Sequence, residues 1–170
     1  MTTWTRTELD EAFAGYTATV QKCVDTGDWS HFADLFVDDA TYIEHSYGSF
    51  TGKDEIRDWI TKTMGAFPGN EMVEFPPKWV VIDEEKGWVI TEIDNPMRDP
   101  GDGSQHGQGN ISILRYAGDG LWREQEDVYN PLEFMAATTA YVRACERLGT
   151  LSDEARAWAA KFGVKLGQPR

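Results

Sequence analysis

Two acidic residues, Glu44 and Asp127, sit in strand-like segments where they could do chemistry. In the segment 41–47, alternation puts Tyr42, Glu44 and Ser46 on one face and Ile43, His45 and Tyr47 on the other. In the segment 121–129 the same rule groups Arg123, Gln125, Asp127 and Tyr129. If both carboxyls face one apolar pocket, repulsion and desolvation disfavour their charged forms. One acid then stays protonated while the other acts as base, which is what general acid–base chemistry needs. A plainer reading leaves Glu44 as a solvated strand-end carboxylate and Asp127 hydrogen-bonded to backbone near the base of a hairpin.

Other side chains could surround such a pair. Tyr42, Asn95, Asn110 and Tyr129 could orient a substrate, and Trp79, Trp88, Phe75 and Phe134 could make the site dry, with Trp88 against the ligand. The stretch 95–109 (NPMRDPGDGSQHGQG) is too long for a plain hairpin, and such loops often carry function. Its Asp99, Asp102 and His106 hint faintly at a metal, but the spacing matches no calcium loop, and turn formation explains these residues better. No zinc spacing and no phosphate-binding loop is visible, so no metal and no cofactor is expected.

The elements that must position these groups follow from periodicity. Thr5 and Glu8 have capping-box spacing, and Leu9, Phe13, Tyr16, Val20 and Val24 recur at helical steps until Gly27. A short helix carries Trp29, Phe32 and Phe36, and Asp38-Asp39 is expected to turn the chain. A helix over 53–64 follows the first strand. Strands are expected at 72–75, 79–82, 88–94, 110–116 and 121–129, the last two forming a hairpin. Helices over 132–148 and from Ser152 to Phe162 close the chain. Strands gathered late against helices gathered early make this an α+β chain, read as one domain over 1–170.

Composition limits the partners. With 16 basic and 29 acidic residues the net charge is −13, which disfavours nucleic acid and anionic membrane surfaces. Cys23 and Cys145 are expected to be reduced, buried thiols of a cytoplasmic protein. The first residues, MTTWTRTELDEAF, lack the apolar core of a signal peptide, and no apolar run is long enough to span a bilayer.

The stretch GDWSHFADLFVDDATYIEHSYGSFTGKDEIRDWI (27–60), together with GDGLWREQEDVYNP (118–131), resembles the nuclear transport factor 2-like superfamily. The likeness is to its SnoaL-like polyketide cyclases, ketosteroid isomerases and limonene epoxide hydrolases, and it covers about residues 7–130. It implies a cone-shaped, strongly curved antiparallel sheet wrapped around N-terminal helices; residues 131–170 lie beyond it as a helical extension whose apolar Leu132, Phe134, Met135, Tyr141, Val142 and Leu148 are expected to close the mouth of the cone or prop its wall. It places Glu44 five residues after Asp39, where the isomerases carry their base, and Asp127 where the cyclases and hydrolases carry an essential Asp. Tyr42 and Glu44 fall where the hydrolases hold a water.

The spacing to Gly48 differs by one residue from the isomerase pattern, so His45 could face inward instead and act as base near neutral pH. The hydrolase relay is broken at Ile93 and Asn95, and the isomerase oxyanion hole is missing at Val20 and Ser112. The resemblance implies cofactor-free isomerisation, cyclisation, dehydration or hydrolysis of a small apolar carbonyl- or epoxide-bearing molecule. The alternative is a non-catalytic binding or assembly module. It also implies a homodimer through the convex sheet face, with Trp88, Ile90 and Trp122 expected outward.

Overall fold

The computed structural model describes residues 4–167. Helix α1 (Arg6–Thr26) starts where Thr5 Oγ1 accepts from the Glu8 amide, and it ends at Gly27 in the left-handed conformation (φ 71°). Its stripe of Leu9, Phe13, Tyr16, Val20 and Cys23 is buried. A 3-10 turn (Trp29–Leu35) adds Trp29 and Phe32 to that layer, and α2 (Lys53–Met64) adds Ile56 and Ile60.

Against this layer lies one six-stranded sheet: β1 (Phe36–Glu44), β2 (Gly48–Thr51), β3 (Pro77–Asp83), β4 (Trp88–Ile93), β5 (Asn110–Gly118) and β6 (Leu121–Val128). Its order is β2-β1-β6-β5-β4-β3. All neighbours are antiparallel except β1 and β6, which run parallel and bring the opening and closing strands side by side. Phe36, Tyr42, Val89, Leu114 and Trp122 point from the concave face into a core shared with α1, the 3-10 turn and α2. The chain is thus the expected α+β fold, a curled, mostly antiparallel sheet around N-terminal helices with C-terminal helices appended.

Several local expectations are corrected. β1 begins at Phe36, and Asp38 and Asp39 do not turn the chain; they are exposed within the strand, where its pairing to β6 is irregular. The residues after His45 turn back as β2, a short partner for β1. Residues 72–75 form no strand beyond a Met72–Met97 bridge, because Pro76 and Pro77 supply no amide donors. Trp122 is fully buried, not outward. Tyr116 pairs with Trp122 and Arg115 with Glu124, so Arg123 is an extra residue, and this bulge resets the alternation.

The extension forms α3 (Pro131–Leu148) and α4 (Asp153–Lys161). These helices build two small cores of their own, Met97–Tyr141–Cys145 and Val142–Ala155–Ala159, with Phe67 against both. Asn70 Nδ2 donates to Glu154 (2.7 Å), Tyr141 Oη to Glu71 (3.0 Å) and Thr150 Oγ1 to the Pro100 carbonyl (2.8 Å). The extension therefore braces the segments that flank β3 and β4.

Candidate active site

Strand register brings the polar groups of the concave face together. Glu44 lies opposite Asp127, Asp127 opposite Ser112, and Tyr42 opposite Gln125. Tyr42 Oη donates a short hydrogen bond to Asp127 Oδ2. Gln125 Nε2 donates to Tyr42 Oη (3.0 Å) and to Asp127 Oδ1 (3.1 Å). Ser112 Oγ donates to the same Oδ1 at 2.6 Å and accepts from Asn110 Nδ2 at 2.9 Å. Asn110 also reaches Asp127 at 3.3 Å. Asn95 Nδ2 in turn donates to Asn110 Oδ1 (3.0 Å) and to the Gln108 carbonyl (2.6 Å), so it anchors Asn110 at one remove from the acid.

Burial pushes the Asp127 carboxyl above the ordinary carboxylate range; the Ser112, Tyr42 and Gln125 donors hold it back, and the Glu44 charge adds to the rise. Asp127 as a residue is only partly buried. Burial, then Asp127, raises the Tyr42 and Tyr16 phenols well above their usual value, which keeps both as neutral donors. Tyr16 is one of the buried residues of α1. Glu44 is buried, and its Oε2 accepts from the Ser46 and Tyr47 amides, both at 2.7 Å. Burial, followed by Glu44, also raises Tyr129. The arrangement can hold a proton on a desolvated acid beside two neutral phenols, with carboxamides to orient an oxygen.

The structure thus joins Asp127, Tyr42 and Asn110 by hydrogen bonds and Asn95 through Asn110, while Glu44, the register partner of Asp127, turns its carboxylate to the Ser46 and Tyr47 amides, with Tyr129 nearby. His45 does not join them. It faces the opposite side of β1, half exposed, with Nε2 3.0 Å from Glu126 Oε1, because the alternation that turns Glu44 inward turns its neighbour outward. Trp88 is likewise on the outer face, between the cations of Lys86 and Arg115, and lines no site. Trp79 is also outside, donating to Glu92 (2.7 Å).

In the 95–109 loop, Asp99 accepts from the Gly101 and Gly103 amides and Asp102 from Ser104. Among the described residues no His, Cys, Asp or Glu cluster could hold a metal ion. Two surface clefts, of about 290 and about 320 Å³, lie elsewhere; only the second touches the network, at Asn110.

Sequence reasoning missed three members. Gln125 was placed on the correct face without a role, and Ser112 was noted only for not being an Asp. Tyr16, one turn before Val20 on α1, carries no chemical mark in the sequence beyond its helical spacing. Its place in the buried stripe of α1 was the available signal.

The fold and this network define a class, the cone-shaped α+β proteins with a polar cluster on the concave sheet. A family profile described as SnoaL-like domain matches residues 3–123, and the chain belongs to that family. A comparison with curated proteins gives no significant match.

Among solved structures, the chain is similar to an LEH-like epoxide hydrolase of M. tuberculosis (12% identity, 86% of this chain and 95% of that one, TM-score 0.61). It is similar to a putative isomerase of Bacillus subtilis (21%, 76% and 91%, TM-score 0.59). A third is a hypothetical protein of Catenulispora acidiphila with a ketosteroid isomerase-like fold, solved with trimethylamine (18%, 72% and 90%, TM-score 0.57). At these identities the likeness is one of fold. The fold's members include isomerases, cyclases and epoxide hydrolases.

Proposed function

We propose that the protein is an enzyme of cofactor-free proton transfer, acting on a small, mostly apolar molecule that carries a carbonyl or epoxide oxygen. The observation that carries this reading is the Asp127 carboxyl, desolvated on the concave face and ringed by the Tyr42, Ser112 and Gln125 donors. Asp127 is the group that exchanges the proton. Glu44, fixed one strand away, disfavours a second negative charge beside it. Tyr42 and Asn110 hold the acid, and Tyr129 contributes at the end of β6. Isomerisation, cyclisation, dehydration and hydration all begin with a transfer of this kind.

The test is deuterium incorporation from D2O next to the carbonyl of cyclic enones and β-diketones, alongside turnover of terpene-like epoxides. Exchange by the wild type and its loss in Asp127→Asn is the expected result. Binding of these compounds without exchange or turnover would make the protein a carrier and overturn the proposal.

The working unit is proposed to be a homodimer through the convex face. Register aligns Trp79, Glu92, Ile111 and Val128 in one outer row and Val81, Ile90 and Ile113 in the next. Four of these, Trp79, Val81, Ile111 and Val128, are exposed large hydrophobic residues. Cys23 and Cys145 are both buried and free, which fits a cytoplasmic site of action. No helix among the described residues is long and apolar enough to cross a membrane.

A further inference from the structure

Gln125 is a fully buried amide in the middle of the concave sheet, in a position an apolar side chain would fill at lower desolvation cost. A carboxamide nitrogen carries two protons and can only donate. Here they go to Tyr42 Oη at 3.0 Å and Asp127 Oδ1 at 3.1 Å, with Oδ2 a further 3.4 Å contact. Tyr42 has a single proton. Because its oxygen already accepts from Gln125, that proton is directed to Asp127. The opposite amide orientation would set Oε1 against the carboxylate oxygens, so an ionised Asp127 selects the orientation seen. The cost is visible on the other side: Gln125 Oε1 is buried without a partner. An unpaired acceptor at that depth persists where the amide protons are needed.

We propose that Gln125 is a positioning residue for the proposed reaction. It sets the direction of the hydrogen bonds around Asp127 and commits the Tyr42 proton to that carboxyl. This rests on Asp127 being the proton-exchanging group, but its test does not depend on turnover. Gln125→Met, which keeps the length of the side chain, would remove the N–H that donates to Asp127 and the one that commits the Tyr42 proton to it. Gln125→Glu would also add a negative charge beside Asp127.

The experiment follows the Asp127 carboxyl carbon by NMR across a pH titration, with its resonance assigned by its absence in Asp127→Asn. The midpoint is expected to move upward in Gln125→Met and further upward in Gln125→Glu. In the wild type, the two Gln125 side-chain amide protons are expected to shift with the same midpoint as Asp127, a measurement that needs no variant to fold. Amide protons indifferent to the Asp127 titration, or an unmoved midpoint in either folded variant, would overturn the inference. Neither result would bear on whether Asp127→Asn abolishes exchange.

Discussion

Asp127 directly follows Glu126 and His45 directly follows Glu44, yet each pair divides between two different environments. On the concave side, Asp127 is desolvated, ringed by Tyr42, Gln125, Ser112 and Asn110, and raised. On the convex side, Glu126 meets His45 at 3.0 Å and Arg115 at 3.7 Å in a partly solvated ion cluster. The residue types are nearly the same. The difference teaches that the sheet makes its chemistry by face, because pleating assigns successive side chains to opposite solvents.

The largest effect should come from exchanging one side of this comparison for the other. Asp127→Asn is expected to lower proton exchange by about 10²- to 10⁴-fold, the usual worth of a positioned acid or base. Glu126→Gln is expected to stay within about twofold, since a solvated ion pair contributes little. Equal losses in deuterium-exchange assays would erase the distinction between the faces. The convex side has its own role to lose: Ile113→Glu places a charge in the centre of the exposed apolar rows and is expected to give monomers by sedimentation at micromolar concentration, with circular dichroism unchanged.

Trp4 offers a control that makes no hydrogen bond to the Asp127 network. Its ring packs where a Cβ on Gly87 would lie (2.4 Å) and edge-on to Tyr116 (centroids 5.0 Å apart), fastening the start of the chain to the β3–β4 and β5–β6 turns. Trp4→Ala is expected to cost about 2 kcal/mol in denaturant unfolding, below the range for fully buried Trp, and to leave the Asp127 titration unmoved.

The pH dependence of stability sharpens the same contrast. A carboxyl raised in the folded state favours folding most at low pH, where both states keep the proton. As pH rises the unfolded chain releases its proton first, and stability falls until the folded midpoint is passed. Urea unfolding across that window should show this decline in the wild type and lose it in Asp127→Asn. The smallest effect belongs to His45→Ala, expected within about 0.5 kcal/mol because its ion pair is half exposed.

The comparison also shows how far the sequence could be read. Alternation put Glu44 and His45 on opposite faces of β1 but left open which of them faces inward; the structure buries Glu44 and leaves His45 half exposed. The same count failed at Trp122, because the extra residue at Arg123 resets it and leaves no local mark in composition. It also could not arbitrate for Trp88, whose aromatic bulk suits a pocket or an outer face equally well.

The sequence by itself determined several of the elements: the capped α1 with its apolar stripe, the α2 helix, the β5–β6 hairpin, and an α+β layering that follows from their order. Only the tertiary structure decided which strands are neighbours. The parallel pairing of β1 with β6 joins residues more than eighty positions apart, and it sets Glu44 beside Asp127 and Tyr42 beside Gln125. Periodicity is a local property of the chain, whereas register between distant strands is settled by packing the whole concave face at once.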